Sequence, residues 1–392
     1  MLITSKVTQK FRPVALLAAG LFISLASACA CGVRAFAKVT PANDLTLTIR
    51  ALGRTYEFSY PEIDFDGSEY YLKNAAAVAD GIFLDTVTRP FDASYTVARN
   101  SAEPFRYVAE KNGKGINRDK LLADVTRALN GGKRSVTAEE VVLRPNVTLG
   151  ELKSRTKLLS SFETSYKTSG AARKKNIALA CEYIGYRTLN PRCEFSFNAA
   201  VGERTERRGF GAATVIVGGE FTSGVGGGVC QVSSTLYACA VNAGMRVTQR
   251  RRHTLLVGYT APSFDAMVSD GASDLRFINS SDYPVVLVAD ADGERVRIRL
   301  YGKPDGKTYK FTSEITQLIE PDAPKIVECA DLDYGVTVVK TRPGRGAKSK
   351  GWLLVFKDGR QIEKRLISSD AYSAVCGVTL KGTKIPSPDK AP

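Results

Sequence analysis

Histidine is nearly absent. Among 392 residues there is one, His253, against 55 lysines and arginines and 40 aspartates and glutamates. Any chemistry that needs an imidazole has a single residue to use. The shortage also argues against a zinc site, which wants several ligands at short Cys-x-x-Cys or His-x-x-His spacings, and no such pair occurs. No lysine follows the glycine-rich stretch in the Gly-Lys-Ser/Thr position, so a phosphate-cradling P-loop is excluded as well. No metal and no cofactor is expected. Missing too are a zinc finger, an aromatic RNA-binding signature and an isolated basic tail, so nucleic acid is not an expected partner. The chain also lacks a long apolar run. The run at Val14–Ala30 has 17 residues, below the roughly 20 that comfortably span a bilayer.

What is present is ordinary for a folded protein, with 44% hydrophobic and 24% charged residues. At this length about two or three domains are expected. The formal net charge of +15 implies an anionic partner, such as a wall polymer or a membrane surface. Lys6, Lys10 and Arg12 precede the Val14–Ala30 run, and Ala35-Phe36-Ala37 follows with a small-x-small pattern. Residues 1–37 therefore read as an export signal, with an uncleaved membrane anchor as the alternative. Cys29 raises lipidation, but Ala26 stands where a lipobox usually has leucine. Export places the protein outside the cytoplasm, in the cell envelope, where cysteines tend to pair. Cys181 with Cys193 and Cys329 with Cys376 are the expected disulfides, each couple lying inside one apparent domain.

The stretch Gly224-Val-Gly-Gly-Gly-Val-Cys230-Gln-Val-Ser-Ser-Thr-Leu-Tyr237 is the densest signal. Glycines allow a sharp turn and close backbone approach. Val232, Thr235, Leu236, Cys239 and Ala240 then recur at helical spacing. Cys230 is therefore expected at a helix start, where open amides and the helix dipole favour a thiolate. A cysteine nucleophile needs a base within reach, a group to orient that base, and donors for the developing oxyanion. His253 is the only base available. Asp265 or Asp274 would orient it, Asp265 being nearer in sequence. Gly228 and the amides of Cys230 and Gln231 would hold the oxyanion. Arg204 and Arg250 would bind substrate carboxylates, with Tyr259 as a further contact. A buried structural cysteine is the competing reading, though a glycine-rich loop is a poor place to bury one.

Along the chain, residues 38–150 read as an α+β module. Leu45–Ile49, Tyr56–Tyr60, Ala93–Val97 and Val136–Leu143 are expected strands, and a helix capped by Asn117 ends at Gly131. A second helix is expected over Ala172–Ile184. Past residue 303, strand-like runs at Tyr309–Thr312, Val336–Thr341 and Trp352–Phe356 alternate with Gly/Lys turns, giving a small all-β module at 306–384. Residues 385–392 read as a disordered tail. The fold class expected is α+β in several domains.

Several short motifs occur in a fixed order: Asn176-Ile177, Phe195-Ser-Phe-Asn198, Val201-Gly-Glu-Arg-Thr205, Gly209-Phe210, Gly226–Tyr237, Arg250-x-x-His253, Tyr259, Asp265-Ala266 and Asp274-Leu-Arg-Phe-x-Asn279. Together they resemble the VanW domain over residues 155–303. Cys193, Cys239 and Thr254 depart from the family's usual residues. The segment before it is similar to peptidoglycan-binding-like modules, and the C-terminal module resembles the G-five domain. The resemblance implies a cell-envelope protein and cysteine-dependent L,D-transpeptidation of peptidoglycan stem peptides. A cysteine peptidase of the same substrate, or a non-catalytic peptidoglycan-binding scaffold, are the alternatives.

Overall fold

The computed structural model describes residues 44–99, 101–217 and 220–384. The expected signal at 1–37 and tail at 385–392 lie outside the described residues. Among the described residues no helix is long and apolar enough to cross a membrane. The chain divides into two compact units, residues up to 94 with 108–148, and residues 95–107 with 149 onward.

In the first unit the strand Leu47–Ala51 lies between Arg54–Phe58, antiparallel, and Ser135–Thr137, parallel. Leu47, Ile49 and Ala51 alternate into the core, as a half-buried strand requires. The helix Arg118–Asn130 lays Leu121, Val125 and Leu129 on that core, and the Asn117 side chain accepts from the Lys120 amide at its start. That is the expected cap and face. A further helix, Ala75–Thr86, stands in a region read from sequence as strands. Its cap, Asn74, is in the left-handed conformation and makes no side-chain cap bond, so the usual start signal is absent.

The second unit is built on an antiparallel sheet in the order Lys157–Ser165, Arg295–Gly302, Val285–Ala291, Arg187–Leu189. Its outer face is covered by Tyr95, Val97 and Phe105, which pack on Val286, Val288 and Tyr301. Helices Ala171–Ile184 and Val229–Asn242 pack on the sheet and on each other. From Val229 to Val241, the second of these is buried at every position except Cys230. A helix that is buried all round belongs to the core of its domain.

Residues 307–384 are all-β. Lys307–Ile319, Gly346–Lys357 and Arg360–Tyr372 form one antiparallel sheet, and Lys325–Asp333, Val378–Lys384 and Thr337–Thr341 a second. This module shares a core with the preceding domain, because Phe311, Leu353 and Val355 cluster with Leu236 and Tyr237 of the buried helix. Phe311 also stacks on Phe264 at 4.0 Å between ring centroids. The fold as a whole is α+β with an all-β C-terminal module.

The expected disulfides do not form, and Cys181, Cys193, Cys230, Cys239, Cys329 and Cys376 are all free thiols. Cys181 points into the core from its helix, whereas Cys193 is exposed at a turn. Cys329 faces Gly382 across the parallel pairing, while the Cys376 sulfur sits 3.3 Å from the Ala323 carbonyl oxygen. The two are thus about six residues, or roughly 20 Å, apart along the strands, well beyond the ~7 Å Cα reach of a disulfide.

Candidate active site

The glycine loop is shaped by close approach. Gly228 has φ of 105°, and a Cβ there would lie 2.9 Å from Arg173 Cγ. A Cβ on Gly227 would lie 2.6 Å from the Thr214 carbonyl oxygen. Asn176, fully buried, holds the loop by donating to the carbonyls of Gly211 and Gly227 and accepting from the Gly211 amide. Cys230 follows as the second residue of its helix. The Val229 and Gln231 amides donate to Gly226 and Gly228, so of the two amides expected to hold an oxyanion only that of Cys230 stays open. Ser233 and Ser234 lock the next layer: the Ser233 hydroxyl donates to the Ala266 carbonyl, and the Ser234 hydroxyl accepts from the Ala266 amide. The helix carrying the thiol thereby fixes the segment carrying Asp265.

The Cys230 Sγ lies 3.3 Å from the Val268 carbonyl oxygen, and His253 stands close enough for its imidazole to act on the ionisation of the thiol. The imidazole is buried, 4% exposed, and its Nδ1 lies 2.7 Å from Asp265 Oδ2. The same oxygen accepts the His253 backbone amide at 2.6 Å, which leaves Nε2 for the sulfur. Asp265 Oδ1 accepts from Arg250 Nη2 at 2.8 Å and from the Tyr372 hydroxyl at 2.6 Å. Between Asp265 and Asp274 the structure thus selects Asp265. Asp274 instead accepts from the Ser196 hydroxyl, the Asn198 amide and Arg276, and it organises a turn.

These contacts decide the charges. Burial opposes ionisation of the Cys230 thiol, but the hydrogen bond and charge of His253, with Arg204 nearby, outweigh it and push the thiol down. Burial likewise works against a charged His253, yet its bonds to Asp265 and Cys230 lift it to about 9. Burial would raise Asp265, but the His253 hydrogen bond and the Arg250 charge hold it below its usual range. Both shifts run towards a thiolate–imidazolium pair held by a carboxylate, the activated form of a cysteine nucleophile. Cys181 and Cys239, buried without such partners, are pushed up instead, Cys239 to about 12.

The remaining expected contacts divide. Arg250 is not a free fork, since Nη1 pairs with Asp370 Oδ1 at 2.6 Å and Nε donates to the Asp265 carbonyl at 2.7 Å. Arg204 is held by Asp270 and by Asn198 Oδ1. The Gln231 side chain turns inward to Thr164 and the Ser165 carbonyl. Tyr259 does sit beside the thiol, with its hydroxyl 3.4 Å from Ser234 Oγ. Burial and the nearby Cys230 charge raise the phenol, so it stays protonated and able to donate. Three residues went unforeseen: Arg173, Asp370 and Tyr372. The last two come from the C-terminal module, and the Tyr372 hydroxyl also accepts the Ser263 amide of the histidine loop. A 620 Å³ cavity lined by Asn242, Tyr283 and Tyr309 lies at the other end of the buried helix. Among the described residues no group of three or more His, Cys, Asp or Glu is placed to hold a metal.

Comparison with known proteins agrees with the sequence motifs. Residues 172–301 match the family model described as VanW like protein, so the chain carries a VanW-like domain. The uncharacterized protein YoaR of Bacillus subtilis (strain 168) is 41% identical over 146 residues, which are 37% of this chain and 48% of that protein. The chain thus spans about half the length of the curated relative it matches. Among solved structures, the G5 domain of an IgA1 protease aligns with 21% of this chain and 99% of its own at 20% identity, with a TM-score of 0.15. The G5 domain of HP0197 aligns with 19% of this chain and 97% of its own, also at 20% identity, with a TM-score of 0.13. The β character of residues 307–384 rests on their own strand pairing.

Proposed function

We propose that the protein is an extracytoplasmic cell-envelope enzyme that performs acyl transfer on peptidoglycan stem peptides through Cys230, most specifically L,D-transpeptidation. The observation that carries this reading is a cysteine at a helix start beside a buried His253 that Asp265 holds at 2.7 Å, with the thiol driven down and the imidazole driven up. A structural cysteine does not need a charged base behind it. The expected export signal, the net charge of +15 and the VanW-like domain support the cell-wall setting.

The chemistry follows from the geometry. The Cys230 thiolate attacks the carbonyl carbon of the donor amide. The oxyanion that forms is met by the Cys230 amide and the Tyr259 hydroxyl. As the C–N bond breaks, the His253 imidazolium gives its proton to the departing amine, and a thioester remains on Cys230. An acceptor amine then attacks the thioester and loses its proton to His253. The C–S bond breaks, and thiolate and imidazolium are restored. Asp265 keeps the imidazole oriented throughout and stabilises its charged form before the first transfer and after the last.

The test is incubation of the purified protein with disaccharide-tetrapeptides and mass analysis of the products. Cross-linked dimers plus free terminal alanine are expected, absent with Cys230→Ala and with His253→Ala. Trimmed monomers alone would show that water is the acceptor, a peptidase. Binding without any product would sink the enzyme reading in favour of a scaffold.

A further inference from the structure

We infer that Arg173 is a carboxylate-binding residue of this site, and that the preferred substrates carry a free α-carboxylate on the residue released from the scissile amide. The inference rests on the acyl-transfer reading and narrows its substrate class. Arg173 opens the helix Ala171–Ile184 and reaches the loop that presents the nucleophile. Its Cγ packs where a Gly228 side chain would be, and its Nη2 donates to Gln231 Oε1 at 2.8 Å. It therefore touches residues on both sides of Cys230. Its Nη1 donates to Ser169 Oγ at 2.7 Å. Both partners are neutral.

That sets it apart from the other two arginines near the thiol. Arg250 is neutralised by Asp265 and Asp370, and Arg204 by Asp270. Among the described residues Arg173 forms no ion pair with a carboxylate. Its position is also unfavourable for folding. A cation in the first turn of a helix opposes the helix dipole, and this helix has no acidic residue in that turn to offset it. Arg173 is half-buried, and burial works against its charge, with the ionised form of Cys230 offsetting part of that cost. A half-buried guanidinium beside a nucleophile, with no carboxylate of the described residues paired to it, is the complement of a substrate anion, and guanidinium grips carboxylates bidentately. When the donor amide lies at the sulfur, the group within reach on the leaving side is the terminal carboxylate. An amide inside a longer chain has none to offer.

The test needs no knowledge of the natural substrate. The full-length protein is alkylated with iodoacetate and with the neutral iodoacetamide, and the rates at Cys230 are read by peptide mapping, with exposed Cys193 as internal reference. Relative to Cys193, Cys230 is expected to favour iodoacetate about tenfold. Arg173→Gln should abolish that preference and slow the iodoacetamide reaction far less than the iodoacetate one, while Arg173→Lys keeps part of the preference. An iodoacetate preference that survives Arg173→Gln overturns the inference. So does an altered iodoacetamide pH profile with no change in preference, which would make Arg173 a support for the thiolate alone. A Cys230 unreactive to both reagents at neutral pH would instead remove the acyl-transfer reading, and the inference with it. In a second arm, tetrapeptide acid is compared with its C-terminal carboxamide. Wild type should turn over the acid about tenfold better by kcat/KM, and Arg173→Gln should equalise them.

Discussion

Cys230 has two unlike sides. On one, every charge has a partner: His253, Asp265, Arg250, Asp370 and the Tyr372 hydroxyl form an unbroken chain of hydrogen bonds between 2.6 and 2.8 Å. On the other stand Arg173 with neutral partners only, the protonated Tyr259 hydroxyl and the open Cys230 amide. The closed side is built to set the charge of the base before any substrate arrives. The open side holds groups whose bonding is incomplete, as a binding face should be. A side chain's place in the sequence motif does not say which side it serves. Arg250 and Arg204 lie in matched motifs, yet carboxylates of the protein itself occupy both.

The largest expected difference between the sides is in stability. Arg250→Met would leave Asp265 and Asp370 buried around an uncharged side chain, and breaking a buried ion pair costs about 3–5 kcal/mol. Denaturant unfolding should show that loss in full. A change under about 1 kcal/mol would mean that the closed side is less tightly bonded than its geometry says.

Next comes the charge on the base. Asp265→Asn removes the carboxylate that stabilises the imidazolium, so the upper limb of the transfer-activity profile, where His253 must protonate the leaving amine, should fall well below about 9. The thiol loses its counter-charge and should titrate higher. Iodoacetamide alkylation of Cys230 at neutral pH should therefore slow at least about tenfold. Wild type should be alkylated from below the usual thiol range, and its transfer activity, which needs the imidazolium to protonate the leaving amine, should decline as pH rises through about 9. An identical profile for the variant would disconnect Asp265 from the chemistry. Tyr372→Phe is milder. It removes one donor to Asp265 Oδ1 and the acceptor of the Ser263 amide, worth about 1–3 kcal/mol in unfolding. With less of its charge drawn off, Asp265 should hold the imidazolium more strongly, so the upper limb should move up. A purely structural tyrosine would lower stability and leave that limb in place.

The closed side was legible in sequence only in part, and the reason is distance along the chain. Cys230, His253 and Asp265 could be read because one glycine-rich helix start, one histidine and a nearby aspartate leave few choices. The partners that complete the chain lie far off: Tyr372 is 107 positions from Asp265, and Asp370 is 120 from Arg250. Only the docking of Arg360–Tyr372 against the histidine loop brings them in, and that packing leaves no local periodicity. The elements themselves were readable where they carry their own signals. The Asn117 side chain caps its helix, whereas Asn74, in the left-handed conformation, makes no cap bond to the helix that follows it. The disulfides failed for a related reason. Compartment predicts that thiols pair, but strand register and helix face decide which sulfurs can meet.

The smallest expected effect belongs to the open side, and its smallness is the point. Arg173→Gln gives up two hydrogen bonds to neutral partners, worth about 0.5–1.5 kcal/mol each, part of which glutamine can remake. It also removes a cation from the first turn of a helix, a gain of about 0.3–1 kcal/mol. It spares the chain a half-buried charge as well. These contributions oppose one another, so the unfolding midpoint should shift by less than about 1 kcal/mol in either direction, against the several expected for Arg250→Met. A residue that folding would scarcely miss, kept charged and half-buried at the nucleophile, is held there by what it binds. If Arg173→Gln instead cost as much as breaking the buried pair, the guanidinium would belong to the closed side. The distinction between the two sides of Cys230 would then collapse.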